Sequence, residues 1–459
     1  MRVLIQMRPE RDLVEAVVNP QLTATTEDVA GRLSGIELDQ SFTPVAVPRP
    51  VPTMTDGDPL SLDQPLRFSM EPQDATVLVR GEIHDYDTAD RIAMLSLAHP
   101  EIVGISADPV IEGVPTCGGD SPVGDWQDVR DLLAELGADN LDGSGVALAI
   151  TDTGINTQHL SDELDRPITV DAARSWNPPG VVGQPGKFPV HHGTMCAFDA
   201  LIAAPKATLL DIPVLLSRRP GPTVMSGLLS DAVAAYAHLL GVLAAMPQDK
   251  RALVVSNSWG SFSPRWDFPP GHPGNYSDNR AHPFNLMVTA LEAAGADILF
   301  AAGNCGRDCP DGRCEFTSRP ICGANSHPRV LSIGGVDTRG DRVGYSSQGP
   351  GRLSSDKPDL CAYTHFEGSH AFGAHKPDSG TSAACPVAAG VVAAIRTHWP
   401  VSAIKPAELR TLLRRTADDL GTAGFDFDTG FGVINPSAIM DALRRRQKNG
   451  HRSRSRSRR

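Results

Sequence analysis

At 459 residues the chain is too long for one compact core, so two folded units and some linker are expected. The 41% apolar and 21% charged residues give a globular composition, and alanine-rich stretches such as 228–246 argue against a purely β protein. The formal charge of −12 conceals a split: residues 444–459 hold eight Arg, one Lys and no acid, leaving 33 bases against 54 acids elsewhere. So acidic a body disfavours nucleic-acid binding by the folded part.

The opening Met1-Arg-Val-Leu-Ile-Gln-Met-Arg-Pro lacks the apolar core and cleavage site of a secretory signal. Apolar runs such as 387–395 fall well short of the roughly 18 residues of a membrane span. A cytoplasmic location without membrane contact is therefore the expectation, with signal-free export or a different start as the alternative.

In chain order, 2–7 reads as a strand, 12–18 as a short helix and the Pro-rich 42–53 as loop. Residues 76–81 form a second strand, 89–97 have helical periodicity, and 102–106 return as a strand. Residues 1–112 thus predict a small α+β unit compatible with a ferredoxin-like sandwich. The turn-rich 113–125 predict a linker. From 126 to 443, continuous apolar runs at 146–150, 207–212, 252–256, 297–301 and 330–333 suit parallel strands buried on both faces. Helix-like stretches, including 224–245 and 285–294, lie between them. That alternation predicts an open, mostly parallel α/β sheet covered by helices on both faces, with its site at the carboxyl ends of the strands. The basic Arg/Ser tail at 444–459 reads as disordered and solvated, the alternative being contact with an anionic partner.

Three weak signals fall where such a fold puts chemistry. Asp152 follows the run 146–150 with one residue between, yet Asp-Thr-Gly alone also fits a turn. His192 opens His-Gly-Thr-Met-Cys-Ala before an apolar helix, with His191 beside it. Ser382 lies in Ser379-Gly-Thr-Ser-Ala-Ala-Cys-Pro, delivered by a glycine to a helix start, where a capping serine is common. Taken together, they offer a nucleophile, a base and an orienting carboxylate. Asn304, in Ala301-Ala-Gly-Asn, supplies an amide for a developing oxyanion.

The order Asp, His, Asn, Ser and the residues around each resemble the subtilisin-like serine proteases over about 145–440. Ala204-Pro-Lys-Ala-Thr-Leu-Leu, Ser256-Asn-Ser-Trp-Gly, Ser346-Ser-Gln-Gly-Pro and Thr429-Gly-Phe-Gly-Val-Ile-Asn extend the match. The resemblance implies a serine endopeptidase with Asp152, His192 and Ser382 as the triad and Asn304 in the oxyanion hole. It also implies that Ser258, Trp259, Gly260, Ala301, Ala302 and Gly303 bind an extended peptide or unfolded segment as an added strand. Two departures are Ala383 and Cys385, where the family has Met and Thr, and Cys196 near the histidine. Both cysteines are expected to be small buried residues.

The amino-terminal unit is similar to the propeptide inhibitors of this family, through Gly81, the 89–97 stretch and His99-Pro-Glu-Ile-Val-Gly-Ile-Ser-Ala-Asp-Pro-Val-Ile. The likeness implies an intramolecular inhibitor whose tail lies in the cleft, with self-cleavage within 112–125; a permanently attached domain is the alternative. Cys305, Cys309, Cys314 and Cys322 follow Asn304 closely and could form two disulfides, a zinc site or free thiols. The chemistry itself requires no cofactor; structural zinc or calcium stays open, though no acidic loop identifies a calcium site. The rival to an enzyme is a catalytically silent scaffold of the same fold that binds a protein or anionic partner. No Gly-x-Ser-x-Gly, His-Glu-x-x-His or phosphate-loop motif supports another hydrolase class.

Overall fold

A computed structural model describes the chain apart from residues 9, 19–23, 31–32, 34–35, 52–66, 70–74, 84–94, 96, 114–115, 117–120, 219–224 and 457–459. The strands are β1 (Arg2–Met7), β2 (Glu37–Leu38), β3 (Val45–Val47), β4 (Arg49–Val51), β5 (Arg67–Ser69), β6 (Thr76–Glu82), β7 (Ile102–Ala107), β8 (Val110–Glu112) and β9 (Gly124–Asp125) in the first part of the chain. They continue as β10 (Ala147–Thr151), β11 (Thr208–Ile212), β12 (Ser226–Leu228), β13 (Leu253–Asn257), β14 (Ala296–Ala301), β15 (Leu331–Val336), β16 (Leu360–Tyr363) and β17 (Phe366–Glu367).

Six strands form the main sheet in the order β11-β10-β13-β14-β15-β16, every neighbouring pair parallel. Their apolar runs are continuous because both faces are covered. On β10, Leu148 and Ile150 join a core with the helices His192–Ala203 and Thr381–Arg396. Ala147 and Ala149 of the same strand face the opposite core, with Leu229–Ala245 and Pro283–Ala294. The strand period of two therefore divides one sequence run between two layers of helix.

The amino-terminal unit is an antiparallel sheet in the order β2-β6-β1-β7, with β3 also pairing with β6. Val3, Ile5, Val77 and Val79 face a core that includes Val14 of the helix Arg11–Val18. Leu4, Leu78, Phe42 and Val45 face the other way, into the core built around Leu229–Ala245. Arg80 seals that junction: it is 8% exposed and bonds Ser230 (3.0 Å), Asp231 (3.2 Å) and Asp39 (2.9 Å).

The structure corrects three expectations. Part of the Pro-rich 42–53 is strand, because Val45–Val47 pairs with β6 and Arg49–Val51 with β5. Residues 226–228, expected as helix, are extended, because they pair with β8. The basic tail is helical through Arg456, continuing the helix Pro436–Arg456, which Ile439, Met440 and Leu443 anchor in the core. Arg444 of that helix bonds Asp139 at 2.7 Å. The 89–97 stretch lies almost wholly outside the described residues, as do 114–115 and 117–120 of the expected linker. Among the described residues, no helix is long and apolar enough to cross a membrane.

One buried ion pair fixes the helix that begins at Thr381. Arg396, in its last turn and 1% exposed, bonds both carboxylate oxygens of Asp297 on β14 at 2.6 and 2.8 Å. Arg396→Met should cost about 3–5 kcal/mol by leaving Asp297 uncompensated. In chemical denaturation, Arg396→Met with Asp297→Leu should recover most of that loss, whereas an unchanged midpoint for the single variant would contradict the assignment.

Candidate active site

Asp152, Ser258 and Asn304 follow the carboxyl ends of β10, β13 and β14, neighbours in the sheet. Asp152 is 1% exposed, and its carboxylate takes His192 Nδ1 at 2.8 and 2.9 Å and the Thr153 N–H at 2.7 Å. Because a carboxylate only accepts, Nδ1 carries the proton and Nε2 is left as the basic nitrogen. His192 starts its helix against the turn after β10. The Gly193 N–H donates to Thr153 Oγ1 at 2.8 Å, and a Cβ on Gly193 would lie 2.6 Å from the Gly154 carbonyl oxygen. Only glycine permits that approach. Burial disfavours the charged imidazole, but the charge and hydrogen bond of Asp152, with Asp378 behind, outweigh it and raise the His192 pKa above the ordinary 6.5.

Ser382 is the second residue of its helix and 4% exposed. Its hydroxyl donates to the Ser258 carbonyl at 3.4 Å. Pro386, four residues on, has no N–H to give the Ser382 carbonyl. That carbonyl instead accepts from Ser258 Oγ at 3.0 Å and Cys196 Sγ at 3.5 Å. The same thiol lies 3.6 Å from Asp152 Oδ2 and 3.8 Å from His192 Nδ1, so the three chain segments meet around it. Burial, then Asp152, push its pKa well above the usual thiol value, so it is protonated and no rival nucleophile.

Asn304 Oδ1 accepts from the Thr381 N–H at 2.9 Å and Thr381 Oγ1 at 3.0 Å, fixing the amide against the turn before Ser382. Gly380 at that turn has φ +82°, and a Cβ there would lie 2.8 Å from Asn304 Nδ2. A small cavity brings together Ser258, Trp259, Ala301, Gly303, Asn304 and Ser382, with Phe262 and Thr381. Trp259 lines the cavity: it is 1% exposed, its Nε1–H donates to Thr151 Oγ1 at 3.2 Å, and its ring packs tilted against Phe284 and edge-to-face against Phe300. Ala302, just past the end of β14, donates its N–H to the Ile333 carbonyl of β15 at 2.9 Å.

Gly260 has a different partner, namely Glu112 of the chain's own β8. The two exchange backbone hydrogen bonds at 3.0 and 3.1 Å, and β8 pairs with β12 on its other side. The next residue, Gly113, comes beside His192: a Cβ on it would lie 3.7 Å from the ring's Cε1. β8, paired with β12 on one side, thus meets the segment after β13 on the other through a single antiparallel bridge at Gly260.

The cysteine cluster is neither a four-ligand zinc site nor two internal disulfides. Cys305 and Cys314 form one disulfide, Cys309 is bonded outside the cluster, and Cys322 is a buried thiol donating to the Ser261 carbonyl at 3.1 Å. Burial pushes Cys322 up to about 12. Among the described residues, the group with metal-ligand types in reach is Asp152, His192 and Cys196. One carboxylate oxygen, a ring nitrogen and a thiol do not make the oxygen cage that calcium needs. Cys196 and Cys385 are buried, as expected.

One residue that the sequence did not suggest is Asn325. Its Nδ2 bonds the Trp259 carbonyl at 2.8 Å and the Ala301 carbonyl at 2.9 Å, which sets the spacing of the two cleft walls. No local motif marks it, since its partners are 66 and 24 residues away.

Residues 143–432 match the Subtilase family, and the chain belongs to it. Among curated proteins it is similar to fervidolysin of Fervidobacterium pennivorans, 24% identical over 65% of this chain and 41% of that one. A calcium-dependent protease of Nostoc is 27% identical over 64% of this chain and 46% of its own length. Serine protease AprX of Bacillus subtilis is 26% identical over 61% of this chain and 62% of its own. The chain thus matches less than half the length of the first two.

Proposed function

We propose that this chain is a serine endopeptidase acting on extended peptide segments. Ser382 Oγ attacks the carbonyl, His192 Nε2 takes its proton, and Asp152 holds the tautomer and stabilises the imidazolium. The proton then passes to the leaving amine, and water repeats the sequence on the acyl-enzyme. Asn304 and the backbone N–H of Ser382 receive the oxyanion. The observation that carries this reading is the buried Asp152–His192 hydrogen bond, beside a helix-start serine that shares a cavity with Asn304. The three protease relatives support it too. A fluorophosphonate probe tests it: adduct at Ser382 is expected, and a serine left unlabelled both in wild type and in a chain whose β8 has been loosened by Glu112→Lys would refute the peptidase reading.

Catalysis needs neutral His192, and its pKa is raised. Activity should therefore fall as pH drops, with the acid-limb midpoint of kcat/KM above 6.5. A pH–rate profile with its midpoint at or below that value would contradict the role given to Asp152.

The amino-terminal unit acts, in this reading, as an intramolecular inhibitor, since β8 fills the groove an extended substrate needs. The Cys305–Cys314 disulfide favours export to an oxidising compartment over the cytoplasm.

A further inference from the structure

Backbone pairing with Gly260 accepts any residue, so selectivity at that position must come from what surrounds the side chain. Glu112 is the residue seated there, and its side chain is only 6% exposed. A carboxylate taken this far from water needs a partner. It has Arg313, whose Nη1 lies 3.2 Å from Glu112 Oε2, and the charge of Arg218 acts on it as well. Burial raises the Glu112 carboxyl; Arg313 and then Arg218 oppose that rise, and the weaker charge of Asp311, which itself holds Arg313, adds to it.

Arg313 is held ready for this contact. Its N–H and Nε bond Asp311 Oδ1 at 2.9 and 3.4 Å, and the next residue, Cys314, is tied by its disulfide to Cys305, directly after Asn304. A guanidinium restrained on one side loses little freedom when it receives a carboxylate on the other.

We infer that Arg313, supported by Arg218, makes the cleft selective for peptides with an acidic side chain at the residue paired with Gly260. The inference rests on the peptidase reading above and names its substrate class. Glu112 of the chain's own β8 occupies the seat that an acidic residue of a substrate takes after β8 leaves.

The full-length chain tests this through fluorophosphonate labelling of Ser382. Glu112→Lys sets like charges against Arg313 and Arg218, so labelling should be about tenfold faster than in wild type. Glu112→Gln, which keeps the shape of the side chain, should give an intermediate rate. Adding Arg313→Glu to Glu112→Lys should slow labelling again.

On the Glu112→Lys chain, the peptide Pro-Val-Ile-Glu-Gly should protect Ser382 at about a tenfold lower concentration than Pro-Val-Ile-Lys-Gly, and Arg313→Glu should reverse that order. Equal protection by the two peptides, or a double variant as fast as Glu112→Lys, would overturn the inference. Failure of the peptidase reading looks different, because no variant, wild type included, would label. Fluorescence anisotropy of the two peptides would then decide the role of Arg313 on its own.

Discussion

Replacing Ser382 by alanine is expected to lower turnover of a fluorogenic peptide by about 10⁶-fold. The loss is this large because the triad works as a unit: without the hydroxyl, the imidazole and the oxyanion donors have no covalent step to assist. The fold should barely respond. The hydroxyl makes one long bond, 3.4 Å to the Ser258 carbonyl, while the Ser382 carbonyl keeps both its donors. Stability should change by less than about 1 kcal/mol, measured by denaturant unfolding. The same variant decides the fate of the amino-terminal unit. If wild type is cut within 112–125 and Ser382→Ala stays full length, the chain processes itself; identical full-length bands leave a permanently attached domain. Residual turnover within tenfold of wild type would overturn the assignment of the nucleophile.

Asn304→Ala should reduce kcat by about 10²–10³-fold with little change in KM, because an oxyanion donor acts in the transition state and not on the bound ground state. Asn304 also holds Thr381 through Oδ1, so a second variant is needed to separate anchoring from catalysis. Asn304→Asp keeps acceptors for the Thr381 N–H and hydroxyl but replaces the donor by a charge that repels the oxyanion. Its kcat should fall at least as far as that of the alanine variant. Recovery of activity in Asn304→Asp would show that Thr381 anchoring was the whole effect.

The main sheet was legible because burial on both faces leaves continuous apolar runs, and five of its six strands are read from them. The sixth, β16, is Leu-Cys-Ala-Tyr among prolines and polar residues, too short to stand out. Asp152, His192, Ser382 and Asn304 were legible through the short motifs around each, and the structure brings Asp152 against His192 and Asn304 against the turn before Ser382. What escaped the sequence is non-local. Residues 226–228 carry helix-forming neighbours and become a strand only by pairing with β8, more than a hundred residues earlier. The Glu112–Arg313 pair spans 201 residues, and Asn325 acts on two carbonyls far from it in the chain. The cysteine cluster misled for the same reason: closeness in sequence suggested four mutual partners, whereas Cys322 is buried against Ser261 instead.

The seating of β8 between β12 and Gly260 has a consequence for dose and dilution. A segment tethered to its own groove is present there at an effective concentration of order millimolar, however dilute the protein. A sequence that binds feebly as a free peptide can therefore keep the groove closed in the intact chain. On the inhibitor reading proposed above, diluting the protein would not open it, whereas loosening the Arg80 junction or severing the tether would.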